Sequence, residues 1–365
     1  MTDSAARKKA TIIRYSLKRR GYHLGDVDYS SSSLVSDELS NWRQGKPVLL
    51  QKICLSQLAE HSENIKQSHL LYLAILNDEE CDPILAQLPY SNRLNHHFEL
   101  LGSSVNEGDE QEIETVLFDA IEKDEILAED LWMKISWLSF HEEDTSLRFR
   151  FSFGIDNIED VAADTQRQHY AALLTEAVFP ESRLITQHKE LIKQLQETLA
   201  CDPLNFVERI VYFNSPDGGA YLHHDRERGH AGVVYAQLSG STFWLALPKH
   251  ELMQEITFFV KQSHANAIWP KTIDNTMQNE LNKLVLNSEK LSSELESFAN
   301  STLIHLINET ESFVQQLIKN GYGRAVQSGD VLLLPQETDL NCCWHSVFCL
   351  GEDSGEALSF AIRGA

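Results

Sequence analysis

Short β-branched and aromatic runs surround two widely separated pieces of this chain, Tyr221-Leu-His-His-Asp-Arg226 and Cys343-Trp-His-Ser-Val347, and that arrangement limits the possible folds more than any other feature. Glu208-Arg-Ile-Val-Tyr-Phe-Asn-Ser-Pro-Asp-Gly-Gly219 reads as a strand that runs into a Pro-Asp-Gly turn and then a second short strand. In extended backbone, residues two apart share a face, so His223 and Asp225 can reach one ion while His224 points away. With His345 they make two imidazoles and one carboxylate, a set that holds one face of an octahedral Fe(II) and leaves three positions open. The competing reading is that His223 and His345 are ordinary strand histidines satisfied by hydrogen bonds.

The neighbouring segments extend the pattern. Val233 to Pro248 holds two apolar strand-like runs broken at Ser239-Gly240, Gly329 to Pro335 is a turn, a buried strand and a stop, and Ala357 to Arg363 is a last strand after a Gly-bounded loop. Strand, metal pair, strand, long excursion, strand, distal His and strand is the order expected of a double-stranded β-helix.

On these residues the chain resembles the JmjC and cupin-like family of Fe(II)- and 2-oxoglutarate-dependent oxygenases. The resemblance lies in the Gly-Gly turn before His223-His224-Asp225, Ala236-Gln-Leu-Ser-Gly240 through Phe243-Trp244 to Pro248, Gly329-Asp330 to Pro335, and Trp344-His345. It covers about the last 160 residues, less an insertion. Asn41 to Leu50 resembles the Lys-Pro-Val entry strand of such domains. The implied fold is α+β, a cupin or jelly-roll barrel with a helical N-terminal part and a large helical insertion between barrel strands. The implied ligands are His223, Asp225 and His345, the implied cofactor is Fe(II), and the implied cosubstrate is 2-oxoglutarate.

One family element is missing. Where a Lys or Arg commonly pairs with the far carboxylate of 2-oxoglutarate, this chain has Thr242. A buried carboxylate needs a cation or several donors, and Arg363 on the last strand is the candidate, with Thr242 and Tyr235 as hydroxyl donors. Ordinary solvation of Arg363 and strand packing of Tyr235 and Thr242 are the alternatives.

The remaining features set boundaries. The 365 residues are 42% hydrophobic, enough for a substantial core. Segments 41–205 read as helical and strand elements packed on a barrel of 206–249 and 323–365, and 250–322 as a helical insertion serving as lid or dimerisation arm. Within them Leu55 to Leu76, Glu112 to Leu131 and Asp164 to Leu199 read as helical, and Ile135–Phe140 with Leu147–Phe153 as a hairpin carrying Arg148 and Arg150 on a face that is most simply solvated, with the cavity mouth as the alternative. His96, His97 and His141 stand outside any ligand cluster. Six cysteines without CxxC pairs or framework spacing suit a reducing cytoplasm; Cys343 shares the parity of His345, though burial is the simpler reading for it and Cys342. A net charge of −23 argues against non-specific nucleic-acid binding through the body, and no apolar run suggests a membrane span. The first 24 residues carry seven basic side chains against Asp3 alone, so 1–40 reads as a basic segment followed by a Ser-rich linker, the segment docking on the acidic body, contacting a phosphate-bearing partner or standing as a solvated terminal helix. The expected partner is a protein or peptide substrate, with a small molecule as alternative. A metal-binding sensor without turnover, and an iron enzyme that uses no keto acid, remain as other readings.

Overall fold

The computed structural model describes residues 12–30, 38–95, 97–106, 108–123, 125–154, 164–226, 230–338 and 341–363. Its strands are β1 (Ile12–Arg19), β2 (Tyr22–Ser30), β3 (Val48–Leu50), β4 (Phe98–Ser104), β5 (Glu112–Glu122), β6 (Glu125–Trp137), β7 (Leu147–Phe153), β8 (Asn205–Asn214), β9 (Gly232–Gln237), β10 (Ser241–Pro248), β11 (Gly323–Gln327), β12 (Val331–Pro335), β13 (Cys343–Leu350) and β14 (Gly355–Arg363). The helices are α1 (Glu38–Arg43), α2 (Leu55–Leu58), α3 (Ser62–Leu76), α4 (Cys81–Leu85), α5 (Tyr90–Leu94), α6 (Thr165–Val178), α7 (Arg183–Thr186), α8 (Lys189–Leu199), α9 (Lys249–Asn266), α10 (Asn275–Leu284), α11 (Ser288–Ser297), α12 (Ser301–Glu309) and α13 (Glu311–Lys319).

Nine strands form one antiparallel sheet in the order β3-β12-β9-β14-β8-β7-β6-β5-β4, and three form another in the order β11-β10-β13. Alternation along each strand sorts side chains into layers. In the large sheet Phe149, Phe151, Phe213, Leu358, Phe360, Val234 and Leu333 enter a core shared with Leu71, Leu174, Phe179 and Leu191 of the N-terminal helical half. The opposite face carries Tyr235, Val233, Leu332 and Leu334, which meet Trp244, Ala246, Cys343 and Val347 of the small sheet in an inner cluster. The outer face of the small sheet, with Phe243, Leu245, Leu247 and Phe348, is covered by Leu252, Ile256, Leu291, Leu303 and Phe313 of the insertion and by Leu17 and Leu24 of the N-terminal hairpin. The chain is thus a mixed α+β structure of helices, large sheet, small sheet and helices.

The insertion is cut into short helices by its own sequence. Asp274, Asn287 and Asn300 each accept the backbone N–H three residues on, at Met277, Lys290 and Leu303, so each restarts a helix where a continuous one would bury unpaired donors.

Two expectations fail. Glu112 to Leu131 is not helix but most of the long antiparallel pair β5 and β6. Of the readings of the basic N-terminal segment, the solvated terminal helix fails within 12–30 and docking onto the body is what is seen: β1 and β2 form a hairpin that packs against the small sheet and α13, and Arg19 is 1% exposed. Most of the Ser-rich stretch expected as a linker lies outside the described residues. None of the six cysteines forms a disulfide, and all are buried. No helix among the described residues is long and apolar enough to cross a membrane.

One buried feature bears on stability. The carboxyls of Glu181 and Glu356 are fully buried together, Glu181 also bonded to the Ser68 hydroxyl. Burial, with Glu181 beside it, holds Glu356 well above the ordinary carboxylate range. A raised folded-state pKa contributes stability that is complete below the unfolded value and lost as pH rises through the folded value. Glu356→Gln should therefore gain on wild type in thermal midpoint as pH is raised from about 5 to about 9, reaching about 2 °C or more at the upper end; parallel midpoint-versus-pH curves would show that the pair does not titrate on unfolding.

Candidate metal centre

The Gly218-Gly219 turn sets the chain beside β13. A Cβ on Gly219, at φ +131°, would stand 2.1 Å from the Val347 carbonyl oxygen, so only glycine permits this approach. From there Ala220 and Val347 exchange backbone hydrogen bonds of 3.1 and 3.0 Å, and His223 and His345 exchange bonds of 2.9 and 2.8 Å. The predicted second strand is thus reduced to a narrow ladder, with an isolated bridge at the two histidines.

That ladder brings His223, Asp225 and His345 together, with their ligand atoms all within 4.8 Å of one another. His223 Nε2 is 3.6 Å from Asp225 Oδ1, and His345 Nε2 is 3.6 Å from Asp225 Oδ2. The other ring nitrogens are turned outward: His223 Nδ1 lies 2.6 Å from the Tyr221 carbonyl and His345 Nδ1 3.2 Å from the Cys343 carbonyl. A carbonyl only accepts, so each Nδ1 carries a proton, and in the neutral ring this leaves Nε2 as the bare lone pair, the tautomer a metal requires. Burial, and then the neighbouring His223 ring, push the His345 pKa down to about 4, which keeps that imidazole neutral. Asp225 is held through its backbone N–H, which donates to Gln336 Oε1 at 3.2 Å, while Gln336 Nε2 donates to the Cys343 carbonyl at 3.1 Å. The donor set therefore fits a hard-to-borderline divalent ion, and it is the only such group of three among the described residues.

His224 faces the other way, as alternation requires. Its Nε2 lies 2.7 Å from Glu296 Oε2 of α11, its ring meets Trp344 edge-on at 4.8 Å, and Phe298 stacks on the same Trp344 at 5.8 Å. The insertion therefore braces the back of both ligand-bearing segments.

The triad opens on a cavity of about 290 Å³ between the two sheets. Its wall includes Tyr235, Trp244, Asn214, Ser359 and His230, and also Arg148, Arg150 and Glu208. The two arginines thus line the cavity, the alternative to the solvated face that is their simplest reading. Arg150 Nε pairs with Glu208 Oε1 at 2.9 Å, and Arg148 Nε donates to Ser136 Oγ at 2.8 Å.

Of the other predicted contacts, Tyr235 lines the cavity and Thr242 and Arg363 are not among its lining residues. Thr242 is fully buried and outside the cavity wall: its hydroxyl donates to Gln237 Oε1 at 2.9 Å and accepts from Trp244 Nε1 at 2.9 Å. Tyr235 lines the wall, but its hydroxyl donates to the same Gln237 oxygen at 2.8 Å and accepts from Asn214 Nδ2 at 3.1 Å. Arg363 pairs across to Asn205 at the end of β14, away from the cavity lining, and is engaged elsewhere. Cys343 packs in the inner cluster, where burial holds its thiol protonated, and Cys342 packs on the outer side of the small sheet. His97 and His141 are exposed and apart from the triad; His96 lies outside the described residues. Sequence reasoning missed Gln336 and His230 and ranked the solvated face above the cavity for Arg148 and Arg150. The available signal was a strand with phenylalanines on one face and arginines on the other, beside a metal motif.

No protein-family model and no curated protein sequence matches the chain. Among solved structures it is similar to an oxidoreductase of the 2OG-Fe(II) oxygenase family from Burkholderia pseudomallei, at 10% identity over 90% of this chain and 92% of that one, with a TM-score of 0.32. Two structures of the ribosomal oxygenase YcfD from Escherichia coli align at 14% and 13% identity over 88% of this chain, with TM-scores of 0.28 and 0.29. The chain spans 49% of the length of each of those two.

Proposed function

We propose that this protein is an Fe(II)-dependent oxygenase that consumes 2-oxoglutarate and hydroxylates a side chain of a protein or peptide. The observation that carries this reading is the triad: two bare imidazole Nε2 atoms and a carboxylate, fixed from behind and facing a cavity. Two facing antiparallel sheets, with His223 and His345 on the short ladder that extends the edge of the small sheet, support a double-stranded β-helix. His223, Asp225 and His345 would hold the iron. Bound there, Fe(II) would supply the dioxygen activation that no amino-acid side chain can provide.

The protein's own residues do the rest. The backbone carbonyls of Tyr221 and Cys343 hold the two protons on Nδ1 and so keep both lone pairs aimed inward. Trp244 packs beside the His345 ring at 5.4 Å and helps to exclude water from that side. The far carboxylate of the keto acid needs a cation or several donors, and Arg148 in the cavity wall is the cation we assign to it. Arg150 is already neutralised by Glu208, whereas Arg148 is bonded through Nε to a neutral hydroxyl. Its two terminal nitrogens can grip a carboxylate side by side. This assigns to Arg148 the role expected of Arg363. A cavity at the small end of ligand-site volumes suits a keto acid and one inserted side chain better than a whole bulky metabolite, and a net charge of −23 favours a basic partner.

The test is anaerobic addition of Fe(II) and then 2-oxoglutarate, followed by admission of air and a search for succinate and for an added oxygen on basic peptides. A weak visible absorption from the keto acid chelate, followed by succinate, is the expected result. Iron binding without the absorption would point to an iron enzyme that uses no keto acid. Absence of metal binding would leave a module without turnover.

A further inference from the structure

Arg19, at the end of β1, is almost wholly buried, yet no carboxylate is among its hydrogen-bond partners. Nη1 donates to the Ala220 carbonyl at 2.7 Å and to Ser346 Oγ at 2.5 Å; Nη2 donates to the Asn308 carbonyl at 2.7 Å and to Asn308 Oδ1 at 3.4 Å. Its guanidinium lies 4.6 Å from the centre of the Tyr221 ring and 4.5 Å from that of Phe348. Burial pushes its pKa down to about 9, while Tyr221 and Glu309 pull it back. Burying a cation without a bonded anion is costly, and an apolar side chain of similar volume would fill the space more cheaply.

What the guanidinium holds is specific. Ala220 and Tyr221 lead directly into His223, and the Tyr221 carbonyl orients the His223 ring. Ser346 follows His345. Asn308 Oδ1 also accepts the Leu222 N–H at 2.7 Å, so the insertion enters the same junction. The neighbouring Arg20 adds a bond of 2.8 Å from Nη2 to the Gly219 carbonyl. One rigid fork thus touches the segment that carries two of the three ligands, the strand that carries the third, and the insertion behind them.

We propose that Arg19 is a positioning residue for the metal triad, setting the spacing between the His223–Asp225 segment and the His345 strand from the N-terminal hairpin. The proposal rests on the metal-centre reading. It implies that the hairpin is a working part of the site although it contributes nothing to the cavity wall. Lysine cannot replace the fork, because a single ammonium cannot span acceptors along both edges of a guanidinium.

The experiment compares wild type with Arg19→Ala, Arg19→Lys, Ser346→Ala and Leu17→Ala. Fe(II) affinity is measured by anaerobic equilibrium dialysis and stability by thermal midpoint. Leu17 is a fully buried hairpin residue packed in the outer core, so its truncation loosens the hairpin and leaves the fork's chemistry in place. Both Arg19 variants should bind Fe(II) about 10–100-fold more weakly, the cost typical of losing a residue that orients metal ligands. Ser346→Ala should shift in the same direction by less, and Leu17→Ala should lower the midpoint while keeping wild-type affinity. Should Arg19→Ala fail to fold, Arg19→Lys and Ser346→Ala decide the matter. Wild-type affinity in Arg19→Lys, or an equal affinity loss in Leu17→Ala, would overturn the positioning role and leave the metal centre standing. Failure of the wild type to bind Fe(II) would overturn the metal centre itself.

Discussion

His345→Ala should abolish Fe(II) retention and, with it, succinate formation from 2-oxoglutarate, while the protein stays folded. His345 supplies one of three ligand atoms from a ring that is buried, neutral and aimed at Asp225. Even residues that only orient a ligand cost about 10–100-fold in affinity when removed, so losing a ligand outright should cost more than about 100-fold. The fold should survive because β13 is held by its backbone pairing with β10 along its whole length, which alanine preserves. The structural cost is the packing of the ring against His223 and Trp244, of the order of 1–2 kcal/mol. Equilibrium dialysis against Fe(II), with far-ultraviolet circular dichroism to establish folding, checks both halves. Wild-type iron retention by a folded His345→Ala protein would remove the triad as the metal site.

Arg148→Ala should separate the cosubstrate from the metal. Fe(II) affinity should stay at the wild-type level, since Arg148 bonds Ser136 and none of the three ligands. The 2-oxoglutarate dissociation constant should rise about 30–150-fold, the equivalent of the 2–3 kcal/mol lost with a charge-assisted hydrogen-bonded pair. Arg148→Lys should recover part of this, since it keeps the charge and loses the paired geometry. Arg363→Ala, outside the cavity lining, should leave the constant unchanged. Titrating 2-oxoglutarate into the iron-loaded, oxygen-free variants measures all three. If Arg363→Ala is the variant that weakens binding, the anchor belongs on β14 and not β7.

The triad was legible in the sequence because its chemistry is local: a His-x-Asp pair after a Gly-Gly turn, and a distant His in a buried strand, need only strand alternation to be joined. The strands β9, β10, β12 and β14 were legible for the same reason. Arg148 and Arg150 were not, because alternation tells which residues share a face and says nothing of what covers that face. Here both faces are covered, one by helices and the other by the small sheet, whereas the solvated face is the simplest reading of the arginines and the cavity only the second. β5 and β6 were misread for another reason. The pairing register shifts at three places, between Glu112 and Glu114, Phe118 and Ala120, and Ala120 and Ile121; such bulges interrupt a period of two and leave apolar spacings that imitate a helix. Good helix formers such as Glu112, Glu114, Glu122 and Glu125 reinforced the imitation. The N-terminal hairpin was hidden by its turn: Arg20 and Gly21 take positive φ of 50° and 80°, a pair of conformations that Asn-Gly would have announced and Arg-Gly does not.

The division of labour along β10 has a genetic consequence. Phe243, Leu245 and Leu247 face the helical insertion, while Trp244 and Ala246 face the inner cluster beside the triad. Deleting or adding a single codon within this strand would exchange the two sets, sending an indole into the helices and a phenyl ring toward the ligands. Codon changes that preserve reading frame are thus far from equivalent along the gene. Length should be nearly invariant between Ser241 and Pro248, and the turns between the insertion's short helices are where a lineage could gain or lose residues without disturbing the chemistry.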